Sequence, residues 1–370
     1  MRIGLITYYN NGSFGATLQA YALQQYLTRC GHDVPLIKYR KQWPPATRVR
    51  DYLRCRTPSA LYLRGIERYA QRVVSQFAGK FLRETEETYS SLEELRAVPP
   101  KCDMFLSGSD QIWNPWEFET KGSFDSAYFL DFGPTDALRC SYASSFGRAV
   151  LPSGFAEQIQ PHLKRLKYVS VRESSAVGIV RQLIGREVTQ VVDPTLLLEP
   201  SDFAVLAGRG SKTDASSGLV TFIIGSEPSL YVPVLRTIKA TLKGRTTCLF
   251  PLTWLLGKGR ARYPGVAGWL TCIRQADFVL TDSYHAMAFA ILYQRPFAVL
   301  QRSGGASGRN DRVLSLLTLL GLQSRIISEF NHQAVGELVR AGIDWEYVHG
   351  HLGRLRERSY LFLSKALEGK

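Results

Sequence analysis

Short apolar runs recur along the chain, each closed by small or polar residues and followed by a stretch with helical spacing. In the first half they are Arg2 to Thr7, Val34 to Tyr39, Met104 to Leu106, Ser141 to Ala143, Tyr168 to Val171 and Val188 to Val192. In the second half they are Leu219 to Ile224, Thr247 to Leu252, Phe278 to Leu280 and Phe297 to Leu300. A parallel sheet buries its strands on both faces and therefore reads as continuous apolar runs rather than as alternation. The first unit is explicit. A strand runs into the turn Asn10-Asn11-Gly12-Ser13-Phe14-Gly15, then into a helix at about 16–29 with Leu18, Tyr21, Ala22, Gln25 and Tyr26 on one stripe, a stop at Gly31 and a second strand. Strand, helix and parallel strand in that order make a βαβ unit with a right-handed crossover.

Between residues 208 and 218 the composition turns to Gly, Ser, Lys, Thr and Asp without periodicity, the pattern of a linker. The second series follows it, with helices expected near 228–242, 266–275, 285–293 and 311–320. The chain of 370 residues exceeds what one core usually organises. The expected fold class is α/β, with two doubly wound, Rossmann-like domains facing a cleft: 1–207, a linker at 208–218, and 219–370 ending in a terminal helix. A basic helical segment near 45–95 interrupts the first domain.

The balance of 46 Lys and Arg against 32 Asp and Glu gives a formal charge of +14. The surplus is concentrated: between Arg29 and Arg83 there are 13 basic residues and 3 acids. That stretch carries Leu63, Ile66, Tyr69, Val73, Phe77 and Phe81 at three and four spacing, with Arg64, Arg68, Arg72 and Lys80 on the other face. One reading is a helix capping the sheet with a solvated basic face. The other is peripheral contact with an anionic membrane, and the two are compatible. No apolar run approaches the ~20 residues of a spanning helix, and no secretory pattern precedes the first strand, so a cytoplasmic location is expected, with contact on the inner face of the membrane as its extension. Nucleic acid fits the charge but finds no supporting motif. The cysteines, Cys30, Cys55, Cys102, Cys140, Cys248 and Cys272, stand singly and read as reduced thiols. His349-Gly350-His351 is too isolated for a metal site, and none is expected.

Ligands in open α/β sheets bind outside the carboxyl ends of strands, where helices begin. His285 follows the strand-like Phe278 to Thr281, with Asp282 and Ser283 beside it; it is either a proton donor next to a bound anion or a satisfied imidazole. Arg172 closes Tyr168 to Val171 in the same way, either as a donor fork for phosphate or carboxylate or in an internal pair with Glu173 or another acid. Ser107-Gly108-Ser109-Asp110-Gln111 follows a third strand and reads as a sugar or phosphate pocket or as an ordinary turn. The turn at Asn10 to Gly15 lacks a phosphate-loop fingerprint. Asp193-Pro194-Thr195 reads as a structural turn.

Taken together, several segments resemble the polysaccharide pyruvyl transferase family. They are Tyr8 to Gly12 with Leu18 to Leu23, Ser107 to Asn114, Tyr142 to Gly147, Ser170 to Glu173, Val192 to Leu197 and Thr281 to His285, in order over about 1–325. The resemblance implies a GT-B-like fold and phosphoenolpyruvate (PEP) as co-substrate, with no separate cofactor. It also implies a sugar or oligosaccharide acceptor, lipid-linked in one version of this reading, that receives pyruvate as a ketal. It places the PEP-binding arginine on Arg172 and the catalytic histidine on His285. Beside them, Asn11, Ser107, Ser109, Asp110, Ser144, Asp282 and Ser283 are substrate-binding candidates, with Arg309 or Arg312 from the loop at 304–308 as helpers in holding the anionic groups. Members commonly have Gly after the histidine, where this chain has Ala286. A nucleotide-sugar glycosyltransferase and a non-catalytic glycan- or anion-binding protein on the same scaffold stay open as alternatives.

Overall fold

The computed structural model describes residues 1–41, 58–207, 218–243, 245–249, 260–262, 264–302 and 310–369. A seven-stranded sheet holds β1 (Ile3–Ile6), β2 (Leu36–Tyr39), β3 (Glu84–Tyr89), β4 (Met104–Ser107), β5 (Leu138–Ser144), β6 (Tyr168–Val171) and β7 (Thr189–Gln190). A six-stranded sheet holds β8 (Gly218–Phe222), β9 (Arg245–Leu249), β10 (Arg260–Arg262), β11 (Phe278–Thr281), β12 (Phe297–Leu300) and β13 (Ile326–Ile327). Their orders are β3-β2-β1-β4-β5-β6-β7 and β10-β9-β8-β11-β12-β13. Both are parallel, and both reverse direction beside their first strand, β1 against β4 and β8 against β11. These are the switch points at which ligands bind in doubly wound folds.

The helices around the first sheet are α1 (Phe14–Arg29), α2 (Pro58–Phe81), α3 (Leu92–Ala97), α4 (Trp116–Lys121), α5 (Phe155–Lys164), α6 (Ser174–Ile184) and α7 (Pro200–Ala204). Those that follow are α8 (Pro228–Leu242), α9 (Val266–Arg274), α10 (Tyr284–Leu292), α11 (Asp311–Leu319), α12 (His332–Arg340) and α13 (Trp345–Glu368). Among the described residues no helix is long and apolar enough to cross a membrane.

Three details depart from the expectations. The basic helix does not interrupt the sheet, because α2 is the crossover from β2 to β3, which pair in parallel. The strand at the end of that crossover, Glu-Thr-Glu-Glu-Thr-Tyr, was not legible as one: it lies at the sheet edge and buries only Thr85 and Tyr89 fully, so it needs no apolar run. The terminal helix α13 starts on the second domain, with His349 3.2 Å from the Ile291 carbonyl of α10, and its later turns pack on the first. Its Tyr360 stacks on Tyr26 of α1 with ring centroids 5.3 Å apart, and its Arg356 donates to the carbonyls of Leu196 and Leu198. The Ser359 hydroxyl accepts the Val192 N–H at 3.0 Å, which fixes the segment beginning at Asp193.

Within α2, Arg68, Arg72 and Lys80 are exposed as expected, but the buried stripe is Ala70, Val74, Phe77 and Ala78: of the expected apolar face Tyr69 is half exposed, Val73 and Phe81 are half-buried, and the side chains of Leu63, Arg64 and Ile66 lie outside the described residues. Among the described cysteines, Cys30, Cys102, Cys140 and Cys272 are free thiols. The linker, apart from Gly218, and Arg309 lie outside the described residues.

Candidate active site

A cleft of about 1120 Å³ opens between the carboxyl ends of the two sheets. Its floor is built from one strand-to-helix turn of each domain, β1–α1 in the first and β11–α10 in the second. In the first, Gln19 is buried within α1, and its amide donates to the Thr7 hydroxyl and to the carbonyls of Tyr8 and Ala16. The Thr17 hydroxyl donates to the Tyr9 carbonyl at 2.6 Å. The turn carrying Asn11 is therefore tied down by the helix that follows it. Ser13 caps that helix, accepting the Ala16 N–H, and Asn11 accepts the Ser13 N–H.

In the second domain, Ser283 caps α10, accepting the Ala286 N–H at 3.5 Å, and His285 sits in the first turn. The two turns meet. A β-carbon built on Gly15 would overlap Nδ1 of His285, so only the absence of a side chain at Gly15 lets the ring stand where it does.

Behind this floor lies a buried ionic cluster. Arg172, at the end of β6, places Nη1 2.7 Å from Asp193 Oδ2. The same carboxylate oxygen accepts the Ser109 hydroxyl at 3.1 Å and faces Nε2 of His285 at 3.6 Å. The other oxygen of Asp193 accepts the Thr195 N–H and hydroxyl. Burial works to raise the Asp193 pKa, but His285, Arg172 and the Thr195 N–H overcome it and hold the carboxyl far below its ordinary value. Glu173 accepts the Ser145 hydroxyl and the Gly147 N–H; burial nonetheless raises its pKa.

Arg312 enters from α11. The Tyr284 ring lies beneath both guanidinium groups, 4.5 Å from Arg172 and 5.5 Å from Arg312. Asp110 faces both arginines, at 3.7 Å and 3.6 Å. Burial and the neighbouring Arg172 lower the Arg312 pKa to about 10. Asp110 and Ala143, with φ of 73° and 53°, hold left-handed backbone beside the cluster, and Ala143 lies where the β5–β6 register shifts.

Several donors in this cluster make no hydrogen bond although buried: Nε and Nη2 of Arg172, Nε of Arg312 and Nε2 of His285. Unmade bonds of this kind are costly in a protein interior, more so on charged groups. Two guanidinium groups and an imidazole thus keep donors that an anionic group could take up, while Asp193 and Asp110 balance the two cations.

The structure thus brings together Arg172, His285, Arg312, Asp110 and Ser109, and sets Asn11 and Ser283 in the cleft wall. It engages three expected substrate-binding residues elsewhere. Both oxygens of Asp282 accept backbone N–H groups, from Ile224 and Gly225, and Arg302 adds an ion pair at 3.3 Å; this carboxylate braces the turn after β8. Ser107 and Ser144 are fully buried. Ser107 donates to the Tyr128 carbonyl and Ser144 to that of Gly108, so they join β4 and β5 to their surroundings. Sequence reasoning missed Asp193, Tyr284 and Gly15 as parts of the site. Asp193 stands three residues beyond β7, at the end of the apolar run Val188 to Val192, and that placement at a strand end was its signal.

A family model described as "Polysaccharide pyruvyl transferase" matches residues 14–304, most of the chain. No curated protein matches it in sequence. Among solved structures it is similar to one described as a UDP-N-acetylglucosamine 2-epimerase of Listeria monocytogenes. The TM-score is 0.58 at 9% identity, covering 100% of this chain and 97% of that one. The UDP-N-acetylglucosamine 2-epimerase of Rickettsia bellii gives 0.57 at 11%, covering 99% and 96%. The S. aureus MnaA–UDP co-structure gives 0.51 at 11%, covering 95% and 90%. At such identities the likeness concerns the fold, which is GT-B-like.

Proposed function

The chain belongs to the polysaccharide pyruvyl transferase family, and from that premise we propose that it moves a pyruvyl group from PEP to a sugar of a cell-surface polysaccharide or its precursor, forming a ketal. The observation that carries this reading is the set of buried donors on Arg172, Arg312 and His285 that make no hydrogen bond and at most long ion pairs. PEP presents a phosphate and a carboxylate on three carbons, a charge density suited to two guanidinium forks rather than to a single cation.

PEP is an enol phosphate. A proton delivered to its methylene carbon makes a methyl group and leaves the adjacent carbon electrophilic. An acceptor hydroxyl adds there and loses its proton. The carbon–oxygen bond to phosphate then breaks, phosphate departs with the bonding pair, and a second hydroxyl of the same sugar adds and loses its proton to close the ketal. His285 is the proton donor in this scheme, a role worth typically ~10²–10⁴-fold. Asp193 positions the imidazole, and Arg172 and Arg312 hold the anionic groups and stabilise the departing phosphate. Arg309, the other helper expected from the loop at 304–308, lies outside the described residues and is given no step.

A thermal-shift series with PEP, UDP and UDP-sugars tests the donor, because saturating ligand raises the melting temperature through mass action. Stabilisation by PEP is the expected result. Stabilisation by UDP or a UDP-sugar and not by PEP would transfer the protein to nucleotide-sugar chemistry, UDP being the ligand in the S. aureus co-structure that shares its fold. For an acceptor carried on lipid, the exposed Arg68 and Arg72 of α2 supply an electrostatic contact with anionic membrane, roughly 1 kcal/mol per basic residue. Sedimentation with anionic vesicles should weaken with salt and with R68E/R72E. Equal recovery in the supernatant with neutral and anionic vesicles at low salt rejects the contact.

A further inference from the structure

The cleft is far larger than a three-carbon donor requires, and its two ends differ in chemistry. The end at His285 and Arg312 is cationic. The end over the first domain is aromatic, with carboxylates and lysines paired around it, and none of the steps above uses it. Tyr8 and Tyr39 stand edge-on to Tyr128, with ring centroids 4.9 Å and 5.8 Å from it. Trp116 forms the lip and is 52% exposed, although its backbone N–H is fixed by the Asn114 side chain at 3.0 Å and Asn114 is itself bound to the Phe146 carbonyl. A half-exposed indole on a fixed backbone, with Lys121 Nζ 5.6 Å from its ring centroid, is a stacking platform that a ligand would share with that lysine.

Polar groups are arrayed around these rings. The Tyr39 hydroxyl donates to Asp125 at 2.9 Å, and Lys41 reaches Glu117 at 2.9 Å and Asp125 at 3.2 Å. Burial, with the fields of Asp125 and Glu117, raises the pKa values of Tyr8, Tyr39 and Tyr128, so all three phenols stay protonated. The carboxylates bring two acceptor oxygens each, and Lys41 is already paired with both.

We infer that this end is a saccharide subsite, in which Trp116 and the Tyr8–Tyr39–Tyr128 cluster take the apolar faces of uncharged pyranose rings while Asp125 and Glu117 accept from their hydroxyls. Flat, weakly polar ring faces and several hydroxyls are the features that match aromatic walls edged with carboxylates. Lys41 pairs with both carboxylates and Lys121 with Glu117 at 3.6 Å, so a sugar bearing its own carboxylate gains a cation here only by breaking one of those pairs, and neutral sugars are favoured over uronic acids. The assignment rests on the proposed transferase reading for its biological meaning, since it names where the acceptor lies and of what kind it is.

Saturation-transfer NMR titrations with methyl glycosides test it directly, using the neutral gluco, galacto, manno and N-acetylglucosamine forms and the corresponding uronates. At least one neutral glycoside should bind, with its uronate counterpart at least about tenfold weaker. Trp116→Ala and Asp125→Asn should each weaken that binding by about tenfold while leaving the PEP thermal shift unchanged, and Trp116→Phe should retain most of it. Absence of transfer to every neutral glycoside, equal binding of uronates, or binding indifferent to Trp116 and Asp125 each overturns the subsite. Glycoside binding that depends on Trp116 in a protein that ignores PEP would instead sustain the subsite and reject the donor.

Discussion

At the junction of β6 with α6 the chain turns Arg172 and Glu173 inward, into a cluster closed by Asp193, whereas at the junction of β11 with α10 it turns His285 outward to the cleft and Asp282 inward as a brace. The two junctions have the same topology, each ending a parallel strand and starting a helix. What separates them is how the helix start is satisfied. α10 is capped from within by Ser283. α6 has no side-chain cap of its own, and its first N–H donates to Ser315 on α11, at 3.0 Å. Ser175 adds a bond to Asp311 of the same helix. The first junction therefore needs the other domain to be complete, while the second is complete alone and offers its histidine to the first. Topology fixes where a functional residue stands, and its partners fix which way it faces.

The largest expected effect breaks the first junction. Arg172→Ala removes the cation that pairs Asp193 and leaves buried carboxylates uncompensated, a loss of roughly 3–5 kcal/mol. It should also abolish stabilisation by PEP. Arg172→Lys keeps a charge and the fold but should recover only part of the PEP shift, because a point charge cannot replace a bidentate fork. Thermal melts with and without PEP read both, and a full PEP shift in either variant would mean that this junction holds no ligand.

At the second junction the expectation is a loss of rate without a loss of binding. His285→Gln should keep most of the PEP shift while turnover falls roughly a hundredfold or more, the size of a general-acid contribution. In heavy water the wild-type product should carry deuterium in its new methyl group. Undiminished turnover by the variant with a verified acceptor would leave the second junction without a chemical role.

A smaller effect joins the two domains. Gly15→Ala places a β-carbon against the His285 ring, so overpacking of roughly 1–3 kcal/mol is expected in urea melts. In a His285→Ala background the ring is gone while the β-carbon of residue 285 stays 2.7 Å from the new one, so the same substitution should cost less than in wild type without becoming free. A double-mutant cycle reads the difference, and additive costs would mean that the ring and the glycine do not meet.

Much of this was legible in the sequence because parallel strands and their helices announce themselves. The apolar runs at Ile3 to Ile6, Met104 to Leu106 and Phe278 to Thr281 place three site segments at sheet ends without any structure. What was not legible was direction and partnership. Asp282 and Ser283 are adjacent at a strand end and look equally available; only the Ile224 and Gly225 N–H groups, brought up by β8 more than fifty residues away in sequence, decide that Asp282 is a brace. Asp193 looked like a turn residue because its N-terminal role toward Thr195 is local, while its bonds to Arg172 and Ser109 come from distant strands. Likewise the edge strand Glu84–Tyr89 carries no apolar signal, since one side of it has no neighbour to bury against.

The smallest effect separates the two buried carboxylates of the first junction by sign. Asp193 has its pKa lowered in the fold from 3.8, so it contributes stability that is fully present above that value and is lost as the pH falls below it. Asp193→Asn should therefore be less stable than wild type at pH 7, with the gap narrowing as the pH drops through about 4. Glu173 has its pKa raised in the fold from 4.5, so between that value and its folded one the native state binds more protons than the unfolded chain, and stability falls as the pH rises. Glu173→Gln, which keeps an oxygen to accept from Ser145 and Gly147, should gain on wild type as the pH rises from 4 toward 7. For domains of this size ~1 kcal/mol moves the midpoint by roughly 2–4 °C, so melting curves over pH 3–7 resolve both trends. Trends of the same sign would mean that the two carboxylates share one environment, and the cluster would then lack the asymmetry that assigns Asp193 to Arg172 and His285 and leaves Glu173 to its own loop.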